Sequence, residues 1–394
     1  MLRGEFGDRS MPPENRLAAR IEQVRIQGFR SLADVTLNLG NLGVVIGANG
    51  SGKSNLIRFF DMLSWMLASS GRLGEFVERH GGADDQLFGG NKRTPRLQAE
   101  IQLRTKTGRN DYRFSLAYAS PDRFFFSEED FRYSRGDLNS EAEWILLKGG
   151  HREAEILNLA QAPAGTAKPQ NCKTAKMIIN FLRGCATYQF HDTSPQSPMQ
   201  QYWDSEDINY LRGHGGNLAP VLLRLQNGFP RHYDMISRQI QRLLPTFGGF
   251  ELQKTNGKVL LRWRNKYTPD KTIGAHLTSD GSLRLFALIT LLNLPGEMLP
   301  DVILLDEPEL GLHPAGITLI SRMILNLSHD RQILVATQSP LLVDAFSLDA
   351  IIVAECPNGK TQFTHKAPQE YQQWLDDGFT AGELWLKNVL GGRP

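Results

Sequence analysis

Leu42-Gly43-Val44-Val45-Ile46-Gly47-Ala48-Asn49-Gly50-Ser51-Gly52-Lys53-Ser54-Asn55 is the stretch that decides how this chain is read. Residues 42–46 are a short, nearly continuous apolar run, as expected of a strand covered on both faces. The run passes directly into Gly47–Ser54, which matches GxxxxGK[ST] at every fixed position. Asn55 to Ser69 then carries apolar residues at helical spacing. Strand, glycine-rich turn and helix form the context in which this motif holds phosphate. The glycines let successive backbone N–H groups turn toward an anion, and the helix N-terminus adds partial positive charge. Lys53 is expected to reach the β- and γ-phosphates, and the Ser54 hydroxyl to ligate Mg²⁺. Asn49, Gly50, Ser51, Gly52 and Asn55 complete the expected nucleotide-binding set.

A second strand signal lies far downstream. Val302-Ile303-Leu304-Leu305 runs into Asp306-Glu307. Four apolar residues ending in two carboxylates fit a buried parallel strand whose C-terminal end faces a ligand. Asp306 is then a Mg²⁺ holder and Glu307 the group that orients or deprotonates an attacking water. Ser279-Asp280-Gly281 precedes a helical pattern over 283–293, where an N-terminus could accept a further phosphate or simply be capped by Ser or Asp. Val335-Ala336-Thr337-Gln338 ends another strand, and Gln338 there could touch a γ-phosphate or the water.

Composition excludes several classes. The 394 residues carry 44 Lys plus Arg against 42 Asp plus Glu, a net charge of +2, and 41% are hydrophobic. Such a chain is neither disordered nor a strongly basic tail protein, though a local basic face would suffice for nucleic acid. Its three cysteines are far apart and none has CxxC spacing, which argues against a disulfide framework or zinc site and fits a reducing compartment. The polar first residues lack the apolar core of a signal peptide, and no apolar run reaches 18 residues, so no membrane span is expected and a cytoplasmic location is.

Patterning divides the chain. Residues 1–19 read as a flexible tail. Residues 20–119 hold strand–turn–strand around Gly28-Phe29-Arg30-Ser31, the phosphate loop, and an alternating stretch from Leu97 to Ala119 with a turn at 107–110. Residues 120–248 read as a mostly helical insertion, with helices expected at 174–184 and 217–243. Residues 249–394 open with a hairpin around Asn256-Gly257 and continue as alternating strands and helices. Basic residues crowd 92–113 and recur as Arg224, Arg231, Arg238 and Arg242; solvated faces account for both, and phosphate-backbone contact is the alternative.

In order and spacing these motifs resemble the ABC-type ATPase heads of the RecF, SMC and OLD group, above all the compact AAA-labelled ATPases of bacteria. The likeness rests on IQGFRSL, GANGSGKSN, LTSDGSLRLFALITLL, LLDEPELGLHP, VATQSPLLVDAF and GELWLKNVLGG. It implies an α/β fold, namely an ABC-type P-loop head with an antiparallel β subdomain and the mostly helical insertion in place of a coiled coil. It implies Mg²⁺ and ATP as cofactors. Ser279 and Gly281 look like the signature that reaches a second subunit's γ-phosphate, and Gly311–Pro314 resembles the D-loop. Gln338 stands where most relatives carry a switch histidine. Gln86 is a candidate for the Q-loop metal contact, and Arg30 for an approach to the nucleotide.

The implied function is an ATP-binding and slowly hydrolysing switch, with ATP sandwiched between two heads of a homo-oligomer. Only 87 residues follow Glu307, too few for the nuclease domain of OLD proteins, so a separately encoded effector such as a nuclease is the expected partner in an anti-phage or toxin-like system. A RecF-like DNA-binding ATPase is the alternative, and a scaffold that binds ATP without turning it over is the blandest. A transporter ATPase is disfavoured by the long insertion and by GLHP after DEPE.

Overall fold

A computed structural model of the chain describes residues 17, 19–136 and 142–393. Most of the expected tail, residues 1–16 and 18, lies outside the described residues.

Two six-stranded sheets organise the molecule. The first is wholly antiparallel: β1 (Ala19–Phe29), β2 (Leu32–Asn38), β4 (Arg96–Thr105), β5 (Gly108–Ala119), β6 (Arg123–Arg135) and β7 (Ile145–Leu147), in the order β2-β1-β4-β5-β6-β7. Its long strands alternate buried and less buried residues, as a sheet with one covered face should. The second is mixed, ordered β18-β17-β3-β16-β15-β8. Here β3 (Leu42–Ile46), β8 (Cys185–Tyr188), β15 (Val302–Asp306), β16 (Gln332–Thr337) and β17 (Ile351–Glu355) run parallel, and β18 (Gln362–His365) closes the edge antiparallel.

The apolar runs read in the sequence are strands buried on both faces. Val44, Ile46, Ile303, Leu305, Ile333 and Val335 enter one core, and Val45, Val302, Leu304, Leu334 and Ala336 the other. Each side chain of this kind contributes about 1.5–3 kcal/mol on full burial. The first core holds α6 (Leu218–Gly228), α8 (Asp280–Leu292) and α9 (Pro314–Leu327) against one face. The second joins α1 (Lys53–Ala68), α5 (Pro169–Arg183) and the antiparallel sheet to the other. No helix among the described residues is long and apolar enough to cross a membrane.

The 120–248 segment needs correcting in detail. Its helices include α4 (Glu155–Ala160), α5 and α6, but β5 and β6 pair across the expected boundary at 120, and β8 lies in the central sheet. The single helix expected over 217–243 is two. Pro230 has no N–H to donate, so the chain breaks at Phe229 and restarts with Pro230 at the first position of α7 (Pro230–Leu243). The Asn256-Gly257 turn joins β11 (Lys254–Thr255) to β12 (Lys258–Val259), both central residues having positive φ. Of the basic residues in 92–113, Arg104, Arg109 and Arg113 pair with Glu22, Asp111 and Asp130, so much of that charge is internal to the sheet.

Candidate functional site

The site lies at the C-terminal ends of β3, β15 and β16, where an open parallel sheet places its ligand. Gly52 caps α1 in the left-handed region at φ 102, and a Cβ there would stand 2.0 Å from Thr361 Oγ1. Only glycine fits both demands. Thr361 Oγ1 donates to Ser51 O (3.0 Å), Ser31 Oγ lies 2.7 Å from Thr361 Oγ1, and Asn55 Nδ2 donates to Ser31 Oγ (2.8 Å). This chain of bonds pins the loop from behind. It also commits the Asn55 amide nitrogen to Ser31 in the N-terminal turn. Asn49, Gly50 and Ser54 stay exposed, while Ser51 and Lys53 are buried.

Lys53 Nζ donates to Gly47 O (2.7 Å) and Ala48 O (3.0 Å). Burial pulls its pKa down, against the carboxylates of Glu307, Asp306 and Glu309, which favour the charged form. Groups 250 residues apart in sequence therefore share one field. Burial raises the Asp306 pKa; His191, Ser54 and Lys53 oppose the rise and Glu307 adds to it.

Among the described residues, Ser51 Oγ and Asp306 Oδ1 are buried here without a hydrogen-bond partner. An unpaired buried polar atom costs about 1–3 kcal/mol. Both belong to residues expected to meet phosphate or metal. A hard cation takes oxygen ligands, and carboxylate plus hydroxyl is the donor set present. The first turn of α1 contains no acid of its own, so the helix end itself favours an anion. The residues present thus fit a nucleotide phosphate with Mg²⁺.

Glu307 is at φ 46, a left-handed conformation in a non-glycine residue, and its N–H donates to Ala336 O (2.8 Å). Gln338 Nε2 donates to Glu307 Oε1 in a short contact. The parallel pairing of β15 with β16 brings these two strand-end residues together. Ser279 accepts from Ser282 N (3.3 Å), so it caps α8, and it remains exposed. A Cβ at Gly281 would stand 2.5 Å from Gly311 O, which is why the turn of the signature and the D-loop pack so closely.

Gln86 is not brought to the carboxylates. It is fully buried; its Oε1 accepts from Arg30 Nε (3.0 Å) and its Nε2 donates to His80 O (2.6 Å). Its amide is used in holding the Gly28–Ser31 turn, with Arg30 N also donating to Gln86 O (2.9 Å). Arg30 is half-buried, and burial beside Arg58 lowers its pKa. The glutamine at Asp306 is Gln189, whose Nε2 donates to Asp306 Oδ2 (3.3 Å). Its place follows from pairing: Tyr188 of β8 sits opposite Leu305 of β15, so the next residue on each strand meets its counterpart. Gln189 Nε2 also lies 3.1 Å from His191 Nδ1, and His191 Nε2 lies 3.1 Å from Asp306 O. A proton on Nε2 satisfies both contacts. Arg284 ties this turn to the D-loop by donating to Phe190 O, His191 O and Leu310 O. Gln189, His191, Arg284 and Glu309 are the site residues that sequence reasoning missed.

A family described as "AAA domain, putative AbiEii toxin, Type IV TA system" matches residues 42–164 and 190–344, a span holding the phosphate loop, Asp306-Glu307 and Gln338. The chain belongs to this family. It is a P-loop ATPase-type protein of AAA/ABC kind, a family whose members use nucleotide and usually Mg²⁺. Solved structures agree on the fold. One is an SMC head bound to the C-winged helix domain of ScpA, at 16% identity and TM-score 0.55, covering 90% of this chain and 99% of that one. Another is an SMC head with an extended coiled coil bound to the C-terminal domain of ScpA, derived from Pyrococcus furiosus, at 15% identity and TM-score 0.55, covering 91% and 99%. Among curated proteins none matches. The AAA-domain chain thus has the ABC-type head that its motifs resemble.

Proposed function

We propose that this AAA-domain chain is a Mg²⁺-dependent ATPase switch controlling a separate effector protein, such as a nuclease, in a toxin-like or anti-phage system. The observation that carries the ATPase reading is that the phosphate loop after β3 and Asp306-Glu307 at the end of β15 stand at one edge of the parallel sheet, with Lys53 in the field of both carboxylates. In this reading the loop 47–54 and Lys53 hold the phosphates, with Ser54 and Asp306 holding Mg²⁺. The ion supplies charge neutralisation on the phosphates. Glu307 accepts the proton of the attacking water, and Gln338 Nε2 fixes the Glu307 carboxylate. A glutamine cannot exchange a proton near neutral pH, which suits slow turnover.

The switch itself needs two copies, with ATP between Lys53 of one head and Ser279 of the other. Exposure of Ser279 at the start of a 13-residue helix supports that arrangement. The head takes β6, β7 and β8 from the 120–248 segment, and α5 and α6 pack into its two cores. The effector reading rests on the toxin–antitoxin description of the family.

Glu307→Gln tests both parts. The variant should bind ATP as the wild type does, lose turnover by about 100-fold or more, and accumulate as a closed dimer. Purified with ATP from cells that also express its neighbouring genes, it should retain a stoichiometric effector protein. Turnover at the wild-type rate would overturn the catalytic assignment. Retention of DNA alone would favour the RecF-like reading.

A further inference from the structure

Glu309 lies two residues beyond the general base assigned to Glu307, and the proposed mechanism gives it no task. Its carboxylate is buried nonetheless, and burial together with nearby Glu307 raises its pKa. Its Oε1 accepts two donors from the end of β16, the Thr337 hydroxyl and the Gln338 N–H (3.2 Å). The Thr337 hydroxyl oxygen in turn accepts from Ser339 N (3.0 Å). Gln338 is thereby gripped at its backbone by Glu309 while its side chain reaches Glu307. The same short segment that carries the base also fixes the group that orients it.

We infer that Glu309 is a positioning residue that joins the Asp306–Glu309 segment to the Thr337–Ser339 turn and so holds the Gln338 amide on the Glu307 carboxylate. The inference rests on the ATPase reading and deepens it. Two features of the geometry carry it. First, both bonds from β16 converge on a single oxygen, Oε1, so one group sets both the Thr337 rotamer and the start of the Gln338 backbone. Second, Glu309 Oε2 is buried without a hydrogen-bond partner. Glu307 also contributes, because its N–H donates to Ala336 O one residue before Thr337. Glu309 and Glu307 thus both hold the end of β16 from the segment after β15, Glu309 anchoring the turn and Glu307 receiving the Gln338 side chain.

The role predicts a pattern across four variants. Glu309→Ala removes the acceptor and frees the turn. It should lower kcat about tenfold or more with little change in KM for MgATP or in melting temperature. Glu309→Gln keeps a carbonyl oxygen able to accept both bonds and should return kcat to within about threefold of wild type. Gln338→Ala should lower kcat to a similar degree, and adding Glu309→Ala to it should cost nothing further, because the two act as one unit. Wild type and Glu307→Gln are measured alongside. Multiplying losses in the double variant, or failure of Glu309→Gln to restore kcat, would overturn the positioning role. Wild-type turnover above that of Glu307→Gln, with Glu309→Ala equal to wild type, would overturn the role of Glu309 alone. Wild-type turnover no higher than that of Glu307→Gln would overturn the ATPase reading and this inference with it.

Discussion

In the antiparallel sheet, Asp111 is fully buried with Arg132 Nε 2.6 Å from one oxygen and Arg109 Nε 2.9 Å from the other. The planes of Arg113 and Arg132 both stack near Trp144, at 4.1 and 4.4 Å. On the neighbouring strand Glu129 accepts from Tyr112 Oη (2.7 Å), Glu155 N (2.6 Å) and Ile156 N (3.3 Å), capping the start of α4. At the end of the parallel sheet the acids are less deeply buried, and no salt bridge holds them among the described residues. Among the described residues Asp306 Oδ1 and Glu309 Oε2 accept no hydrogen bond; Asp111 Oδ1 accepts none either, but it has a guanidinium at 2.9 Å, whereas Lys53 donates to its own loop's carbonyls, Gly47 O and Ala48 O. The difference separates structural from functional burial. A buried charge that is matched inside the fold holds the fold, whereas one left open is held for something that arrives from outside.

That contrast is breakable by substitution, and the largest effect should come from the matched side. Asp111→Ala takes the carboxylate away from two guanidiniums, one of them on a buried side chain. Removing one member of a buried pair costs about 3–5 kcal/mol. Denaturant unfolding should show that loss, while the protein that remains folded binds ATP with unchanged affinity. A large drop in affinity with stability intact would mean that the antiparallel sheet serves the site directly.

The open side should respond in the opposite sense. Lys53→Ala should weaken ATP binding by at least about 100-fold, near 2.7 kcal/mol, followed by titration with a fluorescent nucleotide. Its melting temperature should stay within a few degrees of wild type, since the ammonium bonds only Gly47 O and Ala48 O. Unfolding of this variant would place Lys53 among the structural charges.

The same division explains what was legible in the sequence. The phosphate loop was read residue by residue because its chemistry is local: strand, glycines and helix are contiguous, and the backbone itself does the binding. Asp306, Glu307 and Gln338 followed because each ends an apolar run. Gln189 did not, because its position depends on parallel pairing between Cys185–Tyr188 and a strand more than 110 residues later. A four-residue strand with Thr and Tyr in it carries little apolar signal. The available sign was a polar residue directly after a short strand, the same sign that located Gln338. Gln86, chosen in its place, sits in a four-residue helix and is spent on Arg30. Glu309 stood in the quoted DEPE, but its partners are 28 and 29 residues further on, so nothing nearby marked it. Arg284 was hidden for the same reason, since it bonds three carbonyls on two distant loops.

Glu129 gives the finest test, because it is matched in hydrogen bonds yet lacks a counter-charge. Burial, the largest influence, pushes its carboxyl from the ordinary 4.5 up to about 7, against the three hydrogen bonds that favour the ionised form. The folded chain therefore holds a proton between pH 4.5 and 7 that the unfolded chain has released. Stability from this group is present in full below pH 4.5 and is lost as pH rises through 7. Between pH 5.5 and 8 the loss should be about 2 kcal/mol, seen as a melting temperature a few degrees lower at pH 8. Glu129→Gln should flatten the pH dependence over that range while leaving ATP affinity unchanged; Gln Oε1 can still accept from Tyr112 and Ile156 N, and the bond from Glu155 N is lost at every pH alike. A pH slope that survives in the variant would assign the effect to another group, and the hydrogen bonds at Glu129 would then be sufficient to keep it ionised without a cation.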